Sequence, residues 1–169
     1  MNKLYLVGFM GVGKSTAGKK LANKLGWQFF DTDSFFEEKY KLGIDAFFNK
    51  YGEDLFRKLE HEVLISTFNL HNYVISTGGG MPCYYDAMTL INKHGLSVHI
   101  TMSEKAILTR LLNSKQKRPL VINKSHDELI SFVSDKLSER NPYYSRANLT
   151  ADAISLNIKA LIDDIKSNI

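Results

Sequence analysis

The sequence has one cysteine, three prolines and no long apolar run among its 169 residues. The single thiol, Cys83, excludes a disulfide framework and any metal site built from several cysteines. So little proline, with no low-complexity tract, argues against a disordered linker. No segment reaches the roughly 18 consecutive apolar residues that a membrane-spanning helix needs. We therefore expect no membrane segment in this chain, and we expect the protein to be located in a reducing compartment.

Neither sign of charge dominates, because 22 Lys and Arg residues accompany 18 Asp and Glu residues, for a formal net charge of +4. Such a mild excess suits an anionic small molecule as well as a nucleic acid. The first apolar residues lack a small-residue cleavage site and are soon followed by lysines, so we expect no secretory signal. A cytoplasmic location is the resulting expectation.

Short apolar runs alternate with helical patterns along the whole chain. Residues 4–9 form a run typical of a strand buried on both faces, and residues 14–25 show a helical repeat that ends at Gly26. The predicted strands are 4–9, 27–30, 73–77, 97–101 and 151–155, and the predicted helices are 14–25, 34–40, 53–68, 84–93, 104–112, 127–138 and a C-terminal segment. This alternation predicts a three-layer α/β fold with a parallel sheet, in a single domain over residues 1–169.

Gly8–Ser15, between the first strand and the first helix, matches the phosphate-loop pattern G-x-x-x-x-G-K-[ST] at every fixed position. Glycines let backbone N–H groups close around phosphate oxygens, and the helix N-terminus adds its positive dipole end. Lys14 is expected to reach the β- and γ-phosphates, and the Ser15 hydroxyl to bind Mg²⁺. The predicted nucleotide-binding residues of the loop are Gly11, Val12, Gly13, Lys14, Ser15 and Thr16.

A phosphate loop occurs in GTPases, ATP-driven motors and small-molecule kinases. The candidate for a guanine-reading N-K-x-D motif, residues 123–126, has His126 in place of the aspartate. The chain is also short for the additional machinery of a motor. Small-molecule kinases are therefore favoured.

Two carboxylates, Asp31 and Asp33, follow the second predicted strand. Residues two apart on an extended segment point the same way, so both are predicted to face the phosphate loop. One could hold the metal through water while the other orients or deprotonates an acceptor hydroxyl. The alternative is that one of them only caps the next helix.

Two arginines are candidates for substrate binding, although each also has an ordinary explanation. Arg57 stands three residues before Glu60 on a predicted helix, the spacing of a surface ion pair. Arg140 would by itself be read as a solvated charge. Two arginines that converge on one carboxylate would form a strong bidentate clamp, but the sequence does not show convergence.

Residues 105–124 contain six basic side chains and no acidic one. We expect a mobile lid at about residues 113–126 that brings an arginine over the transferred phosphate. The alternative is a nucleic-acid patch, but no aromatic side chain is interleaved for base stacking. We therefore expect no nucleic-acid partner.

Taken in order, these motifs resemble the shikimate kinase family along nearly the whole chain. The elements that carry the resemblance are Gly8–Thr16, Asp31–Asp33, Phe56-Arg57-x-x-Glu60, Gly78–Gly80, Arg118-Pro119-Leu120 and Arg140-x-Pro142 followed by Tyr143 or Tyr144. The resemblance implies a P-loop kinase with a five-stranded parallel sheet. It also implies transfer of the γ-phosphate of ATP to the 3-hydroxyl of shikimate, on the route to chorismate and the aromatic amino acids.

The resemblance further implies individual roles. Asp33 would be the catalytic base or orienting group, with Lys14 and Arg118 neutralising the phosphates, and Asp31 would help to place Mg²⁺ beside Ser15. The implied binding residues are Arg57 and Arg140 for the shikimate carboxylate, and Gly79 and Gly80 for backbone contacts to the substrate. For ATP they are Arg118 at the phosphates and Arg110 against the adenine. The residues that cover the second adenine face are not identifiable near 155–157.

Three other functions remain as alternatives. Another small-metabolite kinase, such as a gluconate kinase, would also need arginines for a carboxylate. A nucleotide-dependent binding module would bind ATP without turnover. A nucleic-acid-binding protein would show a steep salt dependence of affinity. For the kinase we expect ATP and shikimate as partners, Mg²⁺ as cofactor, and a monomer.

Overall fold

The computed structural model describes residues 2–113 and 124–168, which form a parallel β-sheet with flanking helices. The strands are β1 (Lys3–Val7), β2 (Gln28–Asp31), β3 (Tyr73–Ser76), β4 (Leu96–Thr101) and β5 (Leu149–Asp152). The helices are α1 (Lys14–Leu25), α2 (Thr32–Tyr40), α3 (Ile44–Tyr51), α4 (Glu53–Ser66), α5 (Ala87–His94), α6 (Glu104–Asn113), α7 (His126–Tyr144) and α8 (Ile158–Ser167). Short 3₁₀ turns occupy Thr67–Asn69 and Met81–Cys83.

The strand order is β2-β3-β1-β4-β5, and every pairing is parallel. In the centre of the sheet, Leu4 of β1 pairs with Val74 on one side and with Leu96 on the other. The connection from β1 leads toward β2, whereas the connection from β3 leads the opposite way, to β4. The loops after β1 and β3 therefore diverge, and such a switch point is where ligands bind in open α/β sheets.

The main core is built on β1, whose residues Leu4–Val7 are fully buried. Burial on both faces explains why this strand is a continuous apolar run rather than an alternating one. In α1, Ala17 and Leu21 pack inward while the intervening lysines are exposed, and Gly26 ends the helix with a positive φ of 68°. The rigid β1–α1 unit holds the phosphate loop between its two elements.

A second, aromatic cluster packs α2, α3 and α4 against one another. Its buried members are Phe36, Phe47, Phe56 and Val63, and the ring centroids of Phe36 and Phe56 lie 4.9 Å apart. Aromatic pairs in this geometry stabilise a cluster beyond the apolar area that they bury. The cluster fixes the positions of α2, α3 and α4 relative to one another.

The predicted alternation of strands and helices is confirmed, with three differences. Helix α3 was not predicted at all. The helix predicted to end at residue 138 continues through Pro142 to Tyr144, and the last strand lies at Leu149–Asp152 rather than 151–155. Within the described ranges, no helix has the length and apolar character needed to cross a membrane.

Candidate active site

The phosphate loop connects β1 to α1 and has the backbone that its glycines predict. Gly8, Gly11 and Gly13 have φ angles of 142°, 81° and 98°, which side-chain-bearing residues rarely adopt. A Cβ on Gly8 would also lie 2.5 Å from the carbonyl oxygen of Ile100. Lys14 is buried, and its Nζ donates to the carbonyls of Gly8 at 2.8 Å and Phe9 at 2.9 Å.

A cavity of about 460 Å³ opens beside this loop. Its lining includes the predicted nucleotide-binding residues Gly11, Gly13, Lys14, Ser15, Thr16 and Arg110, together with Asp31 and Asp33. Val12 is buried and lies outside this lining. The structure thus brings most of the predicted nucleotide-binding residues to one cavity.

The Ser15 hydroxyl joins the phosphate loop to the end of β2. It donates to Oδ2 of Asp31 at 2.6 Å and lies 3.3 Å from the Ser76 hydroxyl. Oxygen atoms of this kind suit Mg²⁺, which takes one or two protein ligands beside phosphate oxygens and water. In the described ranges, no cluster of three His, Cys, Asp or Glu side chains could hold a metal alone. The residues present fit a metal shared with a bound nucleotide.

The reasoning that placed Asp31 and Asp33 on one extended segment is wrong, although both line the site. Asp31 ends β2 and caps α2, because its Oδ1 accepts from the backbone N–H groups of Asp33 at 3.2 Å and Ser34 at 3.1 Å. Asp33 lies in the first turn of that helix. The helix turn, and not strand alternation, directs both carboxylates to the site. Asp31 therefore combines the capping role with a contact to Ser15.

A second cavity of about 380 Å³ adjoins the first. It is lined by Arg57 of α4, Arg140 of α7, Glu60 of α4 and the three glycines at 78–80 that follow β3. Five residues line both cavities: Met10, Ser15, Asp31, Asp33 and Gly79. Asp33 therefore lies where the two cavities meet.

The two arginines converge on consecutive glycines. A Cβ on Gly80 would lie 2.5 Å from Nη1 of Arg57, and a Cβ on Gly79 would lie 3.5 Å from Nη1 of Arg140. Both arginines are buried, so neither is the solvated charge that each would be if read alone. Absence of a side chain at Gly80 is what allows the Arg57 guanidinium to approach the backbone.

Arg57 is paired with two carboxylates on its own helix. Nη1 donates to Glu60 at 2.8 Å, while Nε and Nη2 donate to Glu53 at 3.1 and 3.0 Å. Burial is the largest single influence and would lower the pKa of Arg57, but Glu60, Tyr84 and Glu53 together outweigh it, so the pKa is raised. The surface ion pair suggested by the Arg57–Glu60 spacing is in fact a buried one, because the segment after Gly80 covers it.

Glu60 was predicted only as part of a motif, and the structure places it in the lining of the second cavity. Burial raises the pKa of Glu60 to about 7, against the opposing effect of Arg57. A Cβ added at Gly78 would lie 2.7 Å from Oε1 of Glu60 and 2.6 Å from Oδ1 of Asp33, so the two carboxylates are neighbours. The three-residue spacing between Arg57 and Glu60 was the sequence signal for their pairing. The burial of Glu60 could not be predicted from that spacing.

The two tyrosines that follow Pro142 differ in burial and in their contacts with the site. Tyr144 is fully buried and its hydroxyl donates to the carbonyl of Gly79, whereas Tyr143 is partly exposed. The Tyr144 ring packs against His99, with centroids 5.1 Å apart. Burial, with a smaller contribution from the Lys14 ammonium, lowers the pKa of His99 to about 4. This imidazole is therefore neutral at pH 7, as expected for a packed ring.

Arg110 lies on the outer side of the phosphate loop. Its Nη1 donates to the carbonyls of Val12 at 3.1 Å and Gly11 at 3.3 Å. The predicted contact of Arg110 with adenine is not tested by these bonds and stays a prediction. Arg118 and most of the predicted lid at 113–126 lie outside the described residues; Asn113 ends α6, and Ser125 caps α7.

A further cavity, of about 390 Å³, lies between β4, α6 and α7. Phe9 and Val12 of the phosphate loop and two serines of α7, Ser134 and Ser138, line it. Val12 is the one predicted site residue in this lining. The converging arginines and the Asp33 carboxylate belong to the other two cavities, which are therefore the candidate active site.

Comparison with known proteins agrees with this geometry. The family model described as shikimate kinase matches residues 10–169. The chain is 36% identical over 167 residues to a shikimate kinase of Parabacteroides distasonis, covering 99% of this chain and 96% of that protein. The chain belongs to the shikimate kinase family. The predicted family and the predicted P-loop kinase are thereby confirmed.

Solved structures of the family give the same result for the fold. A crystal structure of the Bacteroides thetaiotaomicron shikimate kinase has a TM-score of 0.91 at 35% identity, over 98% of this chain and 97% of that one. The Acinetobacter baumannii shikimate kinase, solved in complex with shikimate, has a TM-score of 0.87 at 29% identity, over 99% of this chain and 94% of that one. The predicted five-stranded parallel architecture of the family is confirmed.

Proposed function

We propose that this chain is a single-domain kinase that transfers the γ-phosphate of ATP to the 3-hydroxyl of shikimate. The observation that carries the proposal is the junction of two cavities at Asp33. One cavity has the phosphate loop, and the other has two buried arginines, Arg57 and Arg140, beside consecutive glycines. Shikimate has one carboxylate and three hydroxyls, which match two arginines and an adjoining carboxylate.

On the nucleotide side, the loop N–H groups and Lys14 would hold the phosphates. In the structure the Lys14 ammonium is bonded to two loop carbonyls, so it is already placed within the loop that phosphates would enter. Mg²⁺, where bound, would neutralise charge on the β- and γ-phosphates, and Ser15 and Asp31 are the residues that would hold it. The role of Arg118 toward the phosphates stays a prediction.

On the acceptor side, Arg57 and Arg140 would bind the carboxylate, and the backbone N–H groups of Gly79 and Gly80 would contact the substrate. Fixing the carboxylate at one end of the ring orients the hydroxyls at the other end toward Asp33. Asp33 would accept the proton of the attacking hydroxyl or orient that hydroxyl for in-line attack. Rate acceleration would come mainly from positioning and electrostatics.

The experiment is to mix the purified protein with Mg-ATP and measure ADP release with shikimate, with gluconate, and with neither. The proposal predicts strong stimulation by shikimate alone. Stimulation by gluconate instead would retain the kinase and contradict the acceptor. ATP binding without stimulation by either compound would favour a binding module. A monomeric state and a cytoplasmic location remain predictions from the sequence.

A further inference from the structure

Two residues that no motif singled out, Glu53 and Tyr84, hold the guanidinium of Arg57. Both Nε and Nη2 of Arg57 donate to one oxygen of Glu53, Oε1, at 3.1 and 3.0 Å. The Tyr84 hydroxyl donates to that same oxygen at 3.1 Å. The Arg57 Cζ also lies 4.4 Å from the centroid of the Tyr84 ring. Tyr84 thus contacts the guanidinium face and the carboxylate that binds its edge.

Arg57 is held by its neighbours and at the same time lines the second cavity. A guanidinium has five N–H bonds, and three of them donate to Glu53 and Glu60. Arg57 lines the acceptor cavity, whereas Glu53 and Tyr84 do not. The Arg57 guanidinium therefore faces the cavity while Glu53, Glu60 and Tyr84 already hold it, before an acceptor carboxylate arrives.

The backbone after Tyr84 supports a specific placement of this ring. Tyr85 and Asp86 have φ angles of 50° and 55°, a conformation that costs non-glycine residues free energy and is kept only where the surroundings require it. The Tyr85 ring lies 5.1 Å from His61, one helical turn after Arg57 on α4. Two successive tyrosines thus contact α4 one turn apart, and the turn sets Tyr84 over Arg57.

We propose that Glu53 and Tyr84 are positioning residues for the acceptor carboxylate, because they hold the guanidinium of Arg57 in place at the wall of the cavity. The inference rests on the proposed function, in which Arg57 binds that carboxylate. A free arginine side chain loses rotamer freedom when it binds, and an arginine that is already held loses less. Glu53 and Tyr84 therefore act on acceptor affinity and not on phosphoryl transfer.

The test uses two conservative variants of the intact chain. Tyr84→Phe keeps the ring over Arg57 and removes the hydroxyl, and Glu53→Gln keeps an acceptor oxygen and removes the charge. The Glu53 side chain is 51% exposed, so neither change opens the core. We expect each variant to raise the KM for shikimate about five-fold. We expect kcat and the KM for ATP to stay within about two-fold of wild type, a split that general loss of structure would not produce.

Two neighbouring residues provide matched controls. Tyr85→Phe alters the adjacent tyrosine, whose ring contacts His61, and Glu62→Gln alters an exposed carboxylate on the same helix. Both should keep wild-type constants. In an Arg57→Ala background, Tyr84→Phe and Glu53→Gln should change the KM for shikimate less than about two-fold, since their effect passes through Arg57.

The outcomes separate this inference from the proposed function. If Arg57→Ala raises the KM for shikimate but Tyr84→Phe and Glu53→Gln do not, the positioning role is wrong and the proposed function stands. If the two substitutions still raise this KM in the Arg57→Ala background, they act elsewhere and the inference is again wrong. If Arg57→Ala itself leaves shikimate affinity unchanged, the assignment of Arg57 to the carboxylate fails as well.

Discussion

The Ser15 hydroxyl donates a hydrogen bond to Oδ2 of Asp31 at 2.6 Å. This bond connects the first turn of α1 to the carboxyl end of β2. The same aspartate uses its other oxygen to cap α2. One side chain thus joins the phosphate loop to the helix that positions Asp33. The proposed metal-binding role of Asp31 and its capping role can therefore be tested separately by mutation.

Asp31→Asn and Asp31→Ala should differ in stability but not in their effect on metal use. The amide oxygen of asparagine can still accept the two capping hydrogen bonds, so Asp31→Asn should keep nearly wild-type stability. Asp31→Ala loses the cap and should cost about 1 kcal/mol of unfolding free energy. Both should raise the Mg²⁺ concentration needed for half-maximal activity. Denaturant unfolding and Mg²⁺ titrations measure the two effects, and equal stability of the two variants would contradict the cap.

Gly80→Ala should damage acceptor binding selectively. Its Cβ would lie 2.5 Å from Nη1 and 2.7 Å from Nη2 of Arg57, and that guanidinium is held by two carboxylates, so it cannot move away freely. We expect the KM for shikimate to rise by about ten-fold or more, with the KM for ATP near wild type. Gly43→Ala is the control, because its Cβ would meet only Glu37, at 3.6 Å. A wild-type KM for shikimate in Gly80→Ala would argue against this geometry.

Glu60 should make the stability of the protein fall as pH rises. Its pKa is raised by burial from 4.5 to about 7 in the folded state, so the folded chain binds this proton more tightly than the unfolded chain. The stabilisation that the protonated Glu60 gives the folded state is fully present below about pH 4.5 and is lost as pH rises through 7. Relative to Glu60→Gln, which cannot titrate, the wild type should therefore lose unfolding free energy across this interval. A flat difference between the two proteins would contradict the raised pKa.

His99 should act in the opposite direction. Burial lowers its pKa from 6.5 to about 4, so its contribution is present above pH 6.5 and is lost as pH falls through 4. The loss is on the order of 2 kcal/mol for a ring that is only partly exposed. His99→Gln should remove this dependence, which denaturant unfolding between pH 4 and pH 7 can measure. If the variant is as sensitive to acid as the wild type, another group is responsible.

Most of the fold was predictable because it depends on local patterns. The β1–loop–α1 unit has a buried apolar run, fixed glycines and a helical repeat, and each signal specifies the same structure. Helix α3 was not predicted because it is stabilised by the packing of Phe47 against rings of α2 and α4. The sequence of so short a segment does not show these contacts. The predicted end of the helix at residue 138 was wrong as well, because the helix continues through Pro142 and buries Arg140 and Tyr144 on either side of it.

The residue types of the site were predictable, but their surroundings were not. The phosphate loop, Asp33, Arg57 and Arg140 are identified by motifs. The burial of Arg57 depends on Tyr84, which lies 27 positions later in the chain, and on a turn with two positive φ angles. No spacing rule connects two such segments. For the same reason, the proximity of Glu60 to Asp33 emerges only when the loop after β3 is placed between them.

The proposed phosphorylation of the 3-hydroxyl of shikimate is tested most directly by identifying the phosphorylated atom. The wild-type protein is incubated with Mg-ATP and shikimate, and phosphorus–proton correlation NMR is recorded on the product. The proposed function predicts one new phosphate monoester, coupled to the proton on carbon 3 of shikimate, and its loss in Asp33→Asn. A phosphate on another hydroxyl, or no phosphorylated shikimate from a protein that binds ATP, would contradict the placement of the acceptor between the two arginines and Asp33.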